Sequence, residues 1–136
     1  MVDAQAAASR FFYCAKATRK EREAGLEDLP LVSSPANLGR KEGSAGLNNP
    51  RAGAGRTRKE VRNTHPTVKP IDLMRWLVRL VTPPGGLVLD PFCGSGSTLI
   101  AAVLEQCEYI GVDLDEGYCD IAAHRVRYWE GKNEIA

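Results

Sequence analysis

The sequence predicts an α/β fold, and two stretches carry this prediction. In residues 87–98, a short apolar and partly β-branched run leads into a glycine-containing turn and then into apolar residues at helical spacing. Such a run is typical of a buried parallel strand. Residues 109–113 form a second apolar run, which ends in a carboxylate. Two strands with a helix between them are the unit from which parallel sheets are built, so we expect a β-α-β unit here.

The turn of this unit has the composition of a ligand-binding junction. Asp90 and Pro91 end the first strand, because Pro91 has no N–H for a further ladder bond. Gly94 and Gly96 let the backbone turn tightly and approach a ligand without Cβ atoms in the way. The helical pattern begins at Ser97. Nucleotide-like ligands bind at such junctions, at the carboxyl end of an open sheet.

The residues of this turn exclude the two common phosphate sites. A P-loop needs a lysine before its Ser or Thr, and this turn contains no lysine. The dinucleotide fingerprint needs a third glycine where Leu99 stands. Asp90 instead places a negative charge at the turn, and Asp113 lies where a ribose-binding acid sits in a two-strand nucleotide site. An amine at one end and a ribose at the other describe S-adenosylmethionine better than they describe NAD.

The segment before the first strand predicts a rigid entry into a helix. Residues 64–70 read Thr-His-Pro-Thr-Val-Lys-Pro, and the two prolines fix φ. Pro70 suits the first helical position, and Asp72 suits the first turn. We expect this helix to pack on the sheet through an apolar stripe, which consists of Leu73, Met74, Leu77, Val78 and Val81.

Two further elements complete the second half of the chain. Residues 82–85, Thr-Pro-Pro-Gly, predict a turn from this helix into the first strand. A last helix is expected over residues 115–130, with Asp115 as its N-cap and Glu116 in its first turn.

Two motifs together resemble a known family. Residues 90–98 read Asp-Pro-Phe-Cys-Gly-Ser-Gly-Ser-Thr, and the His-Pro-Thr-Val-Lys-Pro motif lies shortly before them. This pairing resembles the amino-methylating DNA methyltransferases, which act on adenine N6 or cytosine N4. More narrowly, the chain is similar to their permuted (beta-class) branch, in which the cofactor motifs lie at the C-terminus, after the catalytic motif. The likeness is close over residues 64–129 and looser over residues 11–26.

The resemblance implies a partial Rossmann-like methyltransferase fold that binds S-adenosyl-L-methionine. The chain would supply sheet strands 1 and 2 and one late strand at residues 10–16, so the central sheet would be incomplete and strand 1 would keep an unpaired apolar edge. The residues that the resemblance places at the cofactor are Asp90, Pro91, Phe92, Gly94, Ser95, Gly96, Thr98 and Asp113, with His65, Thr67 and Lys69 near its methionine end. For His65, a purely structural role in a turn is an equally good interpretation.

The family's catalytic motif is absent from this sequence. That motif is an Asp, Asn or Ser followed by two prolines and an aromatic residue, and residues 82–85 lack both flanking types. Its oxygens hold the amino group of a flipped-out base, so positioning is most of the catalysis. We therefore predict no catalytic residue here and interpret the chain as the C-terminal part of a site-specific methyltransferase, either truncated or completed by a second chain. The alternatives are a non-catalytic DNA- or cofactor-binding remnant and an unrelated nucleotide-binding protein.

The first half of the chain is basic and the second is acidic. Residues 1–63 hold 12 Lys and Arg against 7 Asp and Glu, whereas residues 64–136 hold 6 against 10. This asymmetry favours a polyanion as partner of the first half, and in this family that is double-stranded DNA. The residues predicted to contact DNA are Lys16, Arg19, Lys20, Arg22, Arg56, Arg58 and Lys59. The alternative is that these charges are merely solvated.

The chain thus divides into three predicted parts. Residues 1–25 hold the late strand and its basic tail, and residues 64–136 form the cofactor-binding half-domain. Between them, residues 26–63 are basic, rich in Gly and Pro and without hydrophobic period, and they occupy the family's target-recognition position. Here the alternative is a flexible linker.

Composition narrows the remaining functional classes. The four cysteines form no Cys-x-x-Cys pair, so no metal site is expected. No apolar run approaches the roughly 20 residues that span a membrane. We expect a cytoplasmic protein, prokaryotic or phage-encoded, that serves restriction–modification.

Overall fold

A computed structural model describes residues 16–33 and 60–133. The helices and strands, numbered in chain order, are α1 Arg19–Glu23, β1 Val32–Ser33, β2 Glu60–Val61, α2 Ile71–Val81, β3 Leu87–Asp90, α3 Ser97–Leu104, β4 Glu108–Gly111 and α4 Glu116–Asn133. Residues 10–15 of the strand predicted at residues 10–16, and most of the predicted target-recognition segment, lie outside the described residues.

The predicted β-α-β unit is confirmed. Strands β3 and β4 pair in parallel, from Leu87 opposite Glu108 to Asp90 opposite Gly111, and α3 connects them. The second strand ends at Gly111, two residues earlier than expected. Its partner strand stops at Asp90, and the following Pro91 has no N–H to extend the ladder. Asp113 therefore lies in the loop beyond the sheet rather than in the strand.

Helix α3 is the centre of the packing. It supplies buried residues to both apolar clusters of the described chain, because it is apolar on nearly all sides. Leu99 and Ile100 pack in one cluster with residues of α2 and α4, and Ala101 and Ala102 pack in the other. The small alanine side chains let neighbouring elements approach α3 closely.

The predicted helix over residues 71–81 is confirmed, with two corrections. Pro70 is the N-cap rather than the first helical residue, and its carbonyl accepts a hydrogen bond from the N–H of Met74 at 3.2 Å. The helix packs mainly on α3 rather than on the sheet. Its buried residues are Ile71 and Val78. Leu77 and Val81, both members of the predicted apolar stripe, are exposed.

An ion-pair cluster joins α2 to the C-terminal end of α3. Arg75 and Arg79 donate to the two carboxylate oxygens of Glu105, at 2.6 and 2.5 Å. The hydrogen bond from Arg79 is the largest cause that holds the pKa of Glu105 below its ordinary value. A carboxylate at the C-terminus of a helix is unfavourable for the helix dipole, and the two guanidinium groups offset this.

The last helix begins as the sequence predicts. Asp115 caps α4 through Oδ1, which accepts a hydrogen bond from the N–H of Tyr118 at 3.0 Å. The helix continues three residues beyond Glu130, to Asn133. Its last turn is anchored to α3, because the side-chain amide of Asn133 donates to the carbonyl of Val103 at 3.2 Å.

One face of the two-stranded sheet is bare. Leu87, Leu89 and Ile110 point to the same face and are 56, 61 and 50% exposed. On the opposite face, Val88 and Tyr109 pack against the cluster between α2 and α3. No other strand of the described residues pairs with β3. The predicted unpaired apolar edge is therefore observed in the described part of the chain.

The short N-terminal elements pack onto this unit. Helix α1 is capped by Thr18, whose Oγ1 accepts a hydrogen bond from the N–H of Glu21 at 3.2 Å. Strands β1 and β2 form a separate antiparallel pair. Leu26, which follows α1, is fully buried. Across residues 16–33 and 60–133, we find no helix with the length and apolar character of a membrane span.

Candidate functional site

The glycine turn between β3 and α3 has a backbone that only glycine adopts readily. Gly94 and Gly96 have φ angles of +50° and +75°. A Cβ atom on Gly94 would collide with the imidazole of His65, and one on Gly96 would lie 3.0 Å from Cβ of Ala122. The sequence suggested that these glycines make room for a ligand. The structure shows that close packing of protein side chains also requires them.

Asp113 ties this turn to the loop beyond β4. Its Oδ2 accepts a hydrogen bond from the N–H of Gly94 at 2.8 Å, and its Oδ1 accepts one from the N–H of Asp115 at 3.0 Å. These bonds, first that from Asp115 and then that from Gly94, hold the pKa of Asp113 below its ordinary value. The carboxylate is thus ionised at neutral pH and fixed beside the turn.

Asp90 and its neighbours form the outer side of the turn. Oδ1 of Asp90 accepts a hydrogen bond from the N–H of Phe92 at 3.1 Å, which is an Asx turn. Pro91 is exposed, and Phe92 is 85% exposed. A bare aromatic side chain therefore stands beside a carboxylate at the carboxyl end of β3.

His65 lies against the turn, so the sequence correctly groups it with these residues. Its ring makes an edge contact with Tyr118, with centroids 4.7 Å apart, and its carbonyl accepts a hydrogen bond from Arg22 at 3.3 Å. Burial is the main cause that lowers the pKa of His65, and the nearby Asp113 opposes this effect. The imidazole is therefore neutral at pH 7.

The other predicted cofactor residues differ in exposure. Thr67 and Lys69 are exposed in the segment that follows His65, whereas Ser95 is buried within the turn and Thr98 is half-buried in the first turn of α3. His65 brings the start of this segment against the turn. The structure does not bring Thr67 or Lys69 into a hydrogen bond with the turn.

Arg125 is a component of the site that the sequence reasoning missed. It is fully buried in α4, beneath the glycine turn. Nη1 donates to the carbonyl of Ser95 at 2.5 Å, and Nη2 donates to the carbonyl of Glu21 at 3.2 Å. Its position in the sequence could have indicated its burial, because Arg125 lies four residues after Ile121, on the apolar face of the helix.

A cavity of about 300 Å³ lies beside the site, between β4 and α4. Its walls include Cys93, Gly111 and Cys119. Burial raises the pKa of the Cys93 thiol to about 11, so this thiol is protonated at neutral pH and is a poor nucleophile. No group of three metal-binding side chains occurs in the part of the chain that the structure describes.

The predicted DNA-contacting residues have mixed environments. Arg19 and Arg22 donate to the carbonyls of Glu60 and His65, both at 3.3 Å, so each also braces the fold. Lys16 and Lys20 are exposed. The remaining three predicted residues lie outside the described residues, namely Arg56, Arg58 and Lys59.

Comparisons with known proteins agree with one another. A family model described as a DNA methylase, of the N6/N4 type, matches residues 10–124. The chain is 48% identical over 54 residues to the putative methylase YubD of Escherichia coli K12, which covers 40% of this chain and 24% of that protein. It is 35% identical over 100 residues to the type II methyltransferase M.XycI of Xanthomonas campestris pv. cyanopsidis, which covers 74% of this chain and 31% of that protein.

Another relative and one solved structure are also similar to this chain. The type II methyltransferase M.HindIII of Haemophilus influenzae is 41% identical over 71 residues, which covers 52% of this chain and 23% of that protein. A crystal structure of an M1.HpyAVI–SAM complex is similar with a TM-score of 0.45 and 30% identity, covering 52% of this chain and 41% of that chain.

The matches differ in how much of each protein they cover. The chain spans less than a third of the length of the three curated relatives. The family model, in contrast, extends over most of the chain, including the whole glycine turn and the Asp113 loop. This chain belongs to the N6/N4 DNA methylase family, a family of enzymes.

Proposed function

We propose that this chain is the S-adenosyl-L-methionine-binding, C-terminal part of a permuted (beta-class) DNA methyltransferase that methylates adenine N6 or cytosine N4. The observation that carries this proposal is the hydrogen bond between the Asp113 carboxylate and the N–H of Gly94. It fixes an ionised acid beside a glycine turn at the carboxyl ends of two parallel strands, which is where nucleotide-like ligands bind. Membership in the methylase family supports the same cofactor.

The residues at the turn suit the groups of this cofactor. The cofactor supplies an activated methyl group, and the chain binds and orients it. Asp90 and Asp113 offer carboxylate oxygens to an ammonium group and to ribose hydroxyls, and the exposed ring of Phe92 offers an apolar surface. Lys69 offers a positive charge to the carboxylate at the methionine end of the cofactor. The proposed cofactor-binding set therefore stays as predicted from the sequence, with Gly94 and Gly96 forming the turn itself.

We further propose that double-stranded DNA is the partner of the basic first half. Lys16 and Lys20 are exposed near the cofactor half, as phosphate contacts require. In this proposal, residues 26–63 lie in the target-recognition position, and residues 64–136 form the cofactor-binding half-domain. The relatives named as type II methyltransferases are bacterial. We therefore place the protein in the cytoplasm of a bacterium and assign it to restriction–modification.

We propose that the base-positioning motif and the further sheet strands are supplied from outside these 136 residues, either by more of the same polypeptide or by a second chain. The supporting observation is the bare sheet face formed by Leu87, Leu89 and Ile110. Leucine side chains that are more than half exposed on a sheet face are typical of a surface that another element covers. The unpaired edge of β3 offers backbone hydrogen bonds to a further strand.

A calorimetric titration of the full 136-residue chain with S-adenosylmethionine tests the proposed function. We expect saturable binding, and we expect Asp90→Ala and Asp113→Ala each to weaken it by about tenfold or more, since a charge-assisted hydrogen bond is worth about that much. Asp120→Ala is the matched control, because Asp120 is an exposed carboxylate on α4. Absence of binding by a wild-type chain with native helix content would contradict the proposal.

A further inference from the structure

We propose that Arg125 is a positioning residue that holds the glycine turn in its cofactor-binding conformation and couples it to the N-terminal segment around α1. This inference rests on the proposed function, because it assigns a role within the same cofactor site. It adds a residue outside both sequence motifs. It also gives α1 a structural role, through its contact with Arg125, in addition to any contact with DNA.

The contacts of Arg125 join three parts of the fold. Its guanidinium binds the carbonyl of Ser95 in the turn and the carbonyl of Glu21 in α1, and Nη1 also lies 3.5 Å from Oγ of Ser97 at the start of α3. Residues 21 and 125 are far apart in sequence. The planar guanidinium presents several donors in a fixed fork, so it holds two carbonyls at a defined separation.

The environment of Arg125 makes these hydrogen bonds energetically important. The side chain is fully buried, and within residues 16–33 and 60–133 no carboxylate forms an ion pair with it. Burial lowers its pKa to about 10, so it still carries its charge at neutral pH. Nε has no hydrogen-bond partner in the described residues. The carbonyl oxygens of Ser95 and Glu21 therefore stabilise a buried cation, and a side chain without the fork would leave them unsatisfied.

The turn rests on the same face of α4 that carries Arg125. Ala122, three residues before Arg125, packs directly beneath Gly96, as the close approach of its Cβ shows. Residues three apart lie on one side of a helix. Helix α4 thus supports the turn by packing at Gly96 and by hydrogen bonding at Ser95. A substitution of Arg125 removes the hydrogen bonding at Ser95 and leaves the packing at Gly96.

Helix α1 is held in place from several directions, so it can transmit a restraint. The Glu21 carboxylate accepts a hydrogen bond from the N–H of Ile71 at 2.6 Å, which caps α2. The side-chain amide of Asn63 donates to the carbonyl of Arg22 at 2.7 Å. After α1, Gly25 packs against Tyr128 of α4 so closely that a Cβ atom would collide there. Through Glu21 and Arg22, α1 therefore contacts α2, α4 and the segment that leads to His65.

This arrangement makes docking of α1 and cofactor binding reciprocal. A ligand that orders the turn stabilises the carbonyl of Ser95 in the position that Arg125 binds, and it thereby favours the Arg125 conformation that also binds α1. By thermodynamic linkage, docking of α1 favours the ligand to the same extent. The structure thus couples the proposed DNA-facing segment to the proposed cofactor turn through one guanidinium.

Arg125→Lys in the full chain tests this inference, with Arg127→Lys as the matched control on the exposed side of α4. Lysine keeps the charge but cannot bridge both carbonyls. By amide hydrogen exchange without cofactor, we expect faster exchange in peptides that cover residues 94–98 and 18–26, and no change in the control. We also expect S-adenosylmethionine to bind about tenfold more weakly, the size expected for a lost charge-assisted hydrogen bond. Unchanged exchange in both peptides, in a folded Arg125→Lys chain, overturns the inference.

A second measurement needs no variant. In nitrogen-15 spectra of the wild-type chain, the Nη protons of Arg125 should give separate signals, because two hydrogen bonds slow rotation of the guanidinium. The exposed Arg127 should give averaged signals. Averaged signals from Arg125 overturn the inference even where Arg125→Lys does not fold. A wild-type chain that shows the Arg125 restraint and does not bind S-adenosylmethionine overturns the proposed function instead.

Discussion

At the scale of single residues, Asp113 has the clearest predicted effect on stability. Its folded pKa is lowered mainly by backbone N–H donors, first that of Asp115 and then that of Gly94, so its contribution is fully present above the unfolded pKa of about 4 and is lost as pH falls through the lower folded pKa. We expect Asp113→Asn to be less stable than the wild type at pH 7. The difference between the two should shrink as pH falls from about 5 towards 2.

Urea unfolding of both proteins across this pH range checks the prediction. Glu105 also has a lowered pKa, but it is present in both proteins, so its contribution cancels in the difference. A difference in unfolding free energy that stays constant with pH would contradict the assigned hydrogen bonds.

Gly94 offers a second prediction at this scale, with Gly85 as its matched control. Both have positive φ angles, but a Cβ on Gly85 would meet nothing within 4 Å, whereas one on Gly94 would collide with His65. We expect Gly85→Ala to lower the free energy of unfolding by about 1–2 kcal/mol through backbone strain alone. Gly94→Ala should cost clearly more, and His65→Ala in the same chain should recover part of the excess.

Thermal and chemical unfolding of these variants provide the measurement. Equal losses for Gly85→Ala and Gly94→Ala would show that His65 does not pack against the turn.

The sequence predicted single residues well where their role is local. Asp115 as an N-cap follows from its position immediately before a helical pattern, and the structure confirms it. The roles of Arg125 and Glu21 could not be predicted, because each depends on a contact across at least fifty positions of the chain. Arginine residues on helices are also usually exposed to solvent, so residue type alone gives no reason to expect Arg125 to be buried.

At the scale of elements, the start of α2 depends on a cap from another segment. Pro70 provides no side-chain cap, and the N–H of Ile71 is bound by the Glu21 carboxylate instead. We expect Glu21→Ala to lower the free energy of unfolding by about 1 kcal/mol, as loss of a helix cap does. Exchange of the Ile71 amide should become faster.

Glu27→Ala is the control for this prediction, because Glu27 is exposed just beyond α1. Unfolding curves and amide exchange of both variants give the comparison. An equal effect of the two substitutions would show that Glu21 acts through general charge rather than through the cap.

Elements with their own pattern were located correctly, as was the pairing of β3 with β4, but the packing partner of α2 was not. The period of apolar residues located α2, α3 and α4, although α4 continues three residues beyond its predicted end. It did not show that α2 packs on α3, because an apolar stripe specifies a buried face and not the surface that covers it. The early end of β4 has a similar origin, since a strand ends where its neighbour ends.

At the scale of the whole molecule, the bare face of the sheet makes a prediction about association. We expect Leu89→Lys to leave the melting temperature nearly unchanged, because Leu89 is already 61% exposed, and to reduce self-association at high concentration. Val88→Lys, on the covered face, should unfold the chain, because it buries a charge among apolar side chains.

Sedimentation and thermal unfolding distinguish these outcomes. If Leu89→Lys destabilises the chain as strongly as Val88→Lys, the face is not bare in solution.

The identity of the family was readable from the sequence because two short motifs define it. The incomplete sheet could be anticipated only from the number of strands that the family uses.

The location of the cofactor site can be read from amide spectra of the full chain during a titration with S-adenosylmethionine. We expect saturable shifts at Asp90, Gly94, Gly96 and Asp113, and we expect NAD to produce no comparable shifts. Shifts confined to other parts of the chain, or none at all in a folded protein, would contradict the assignment of this turn as the cofactor site.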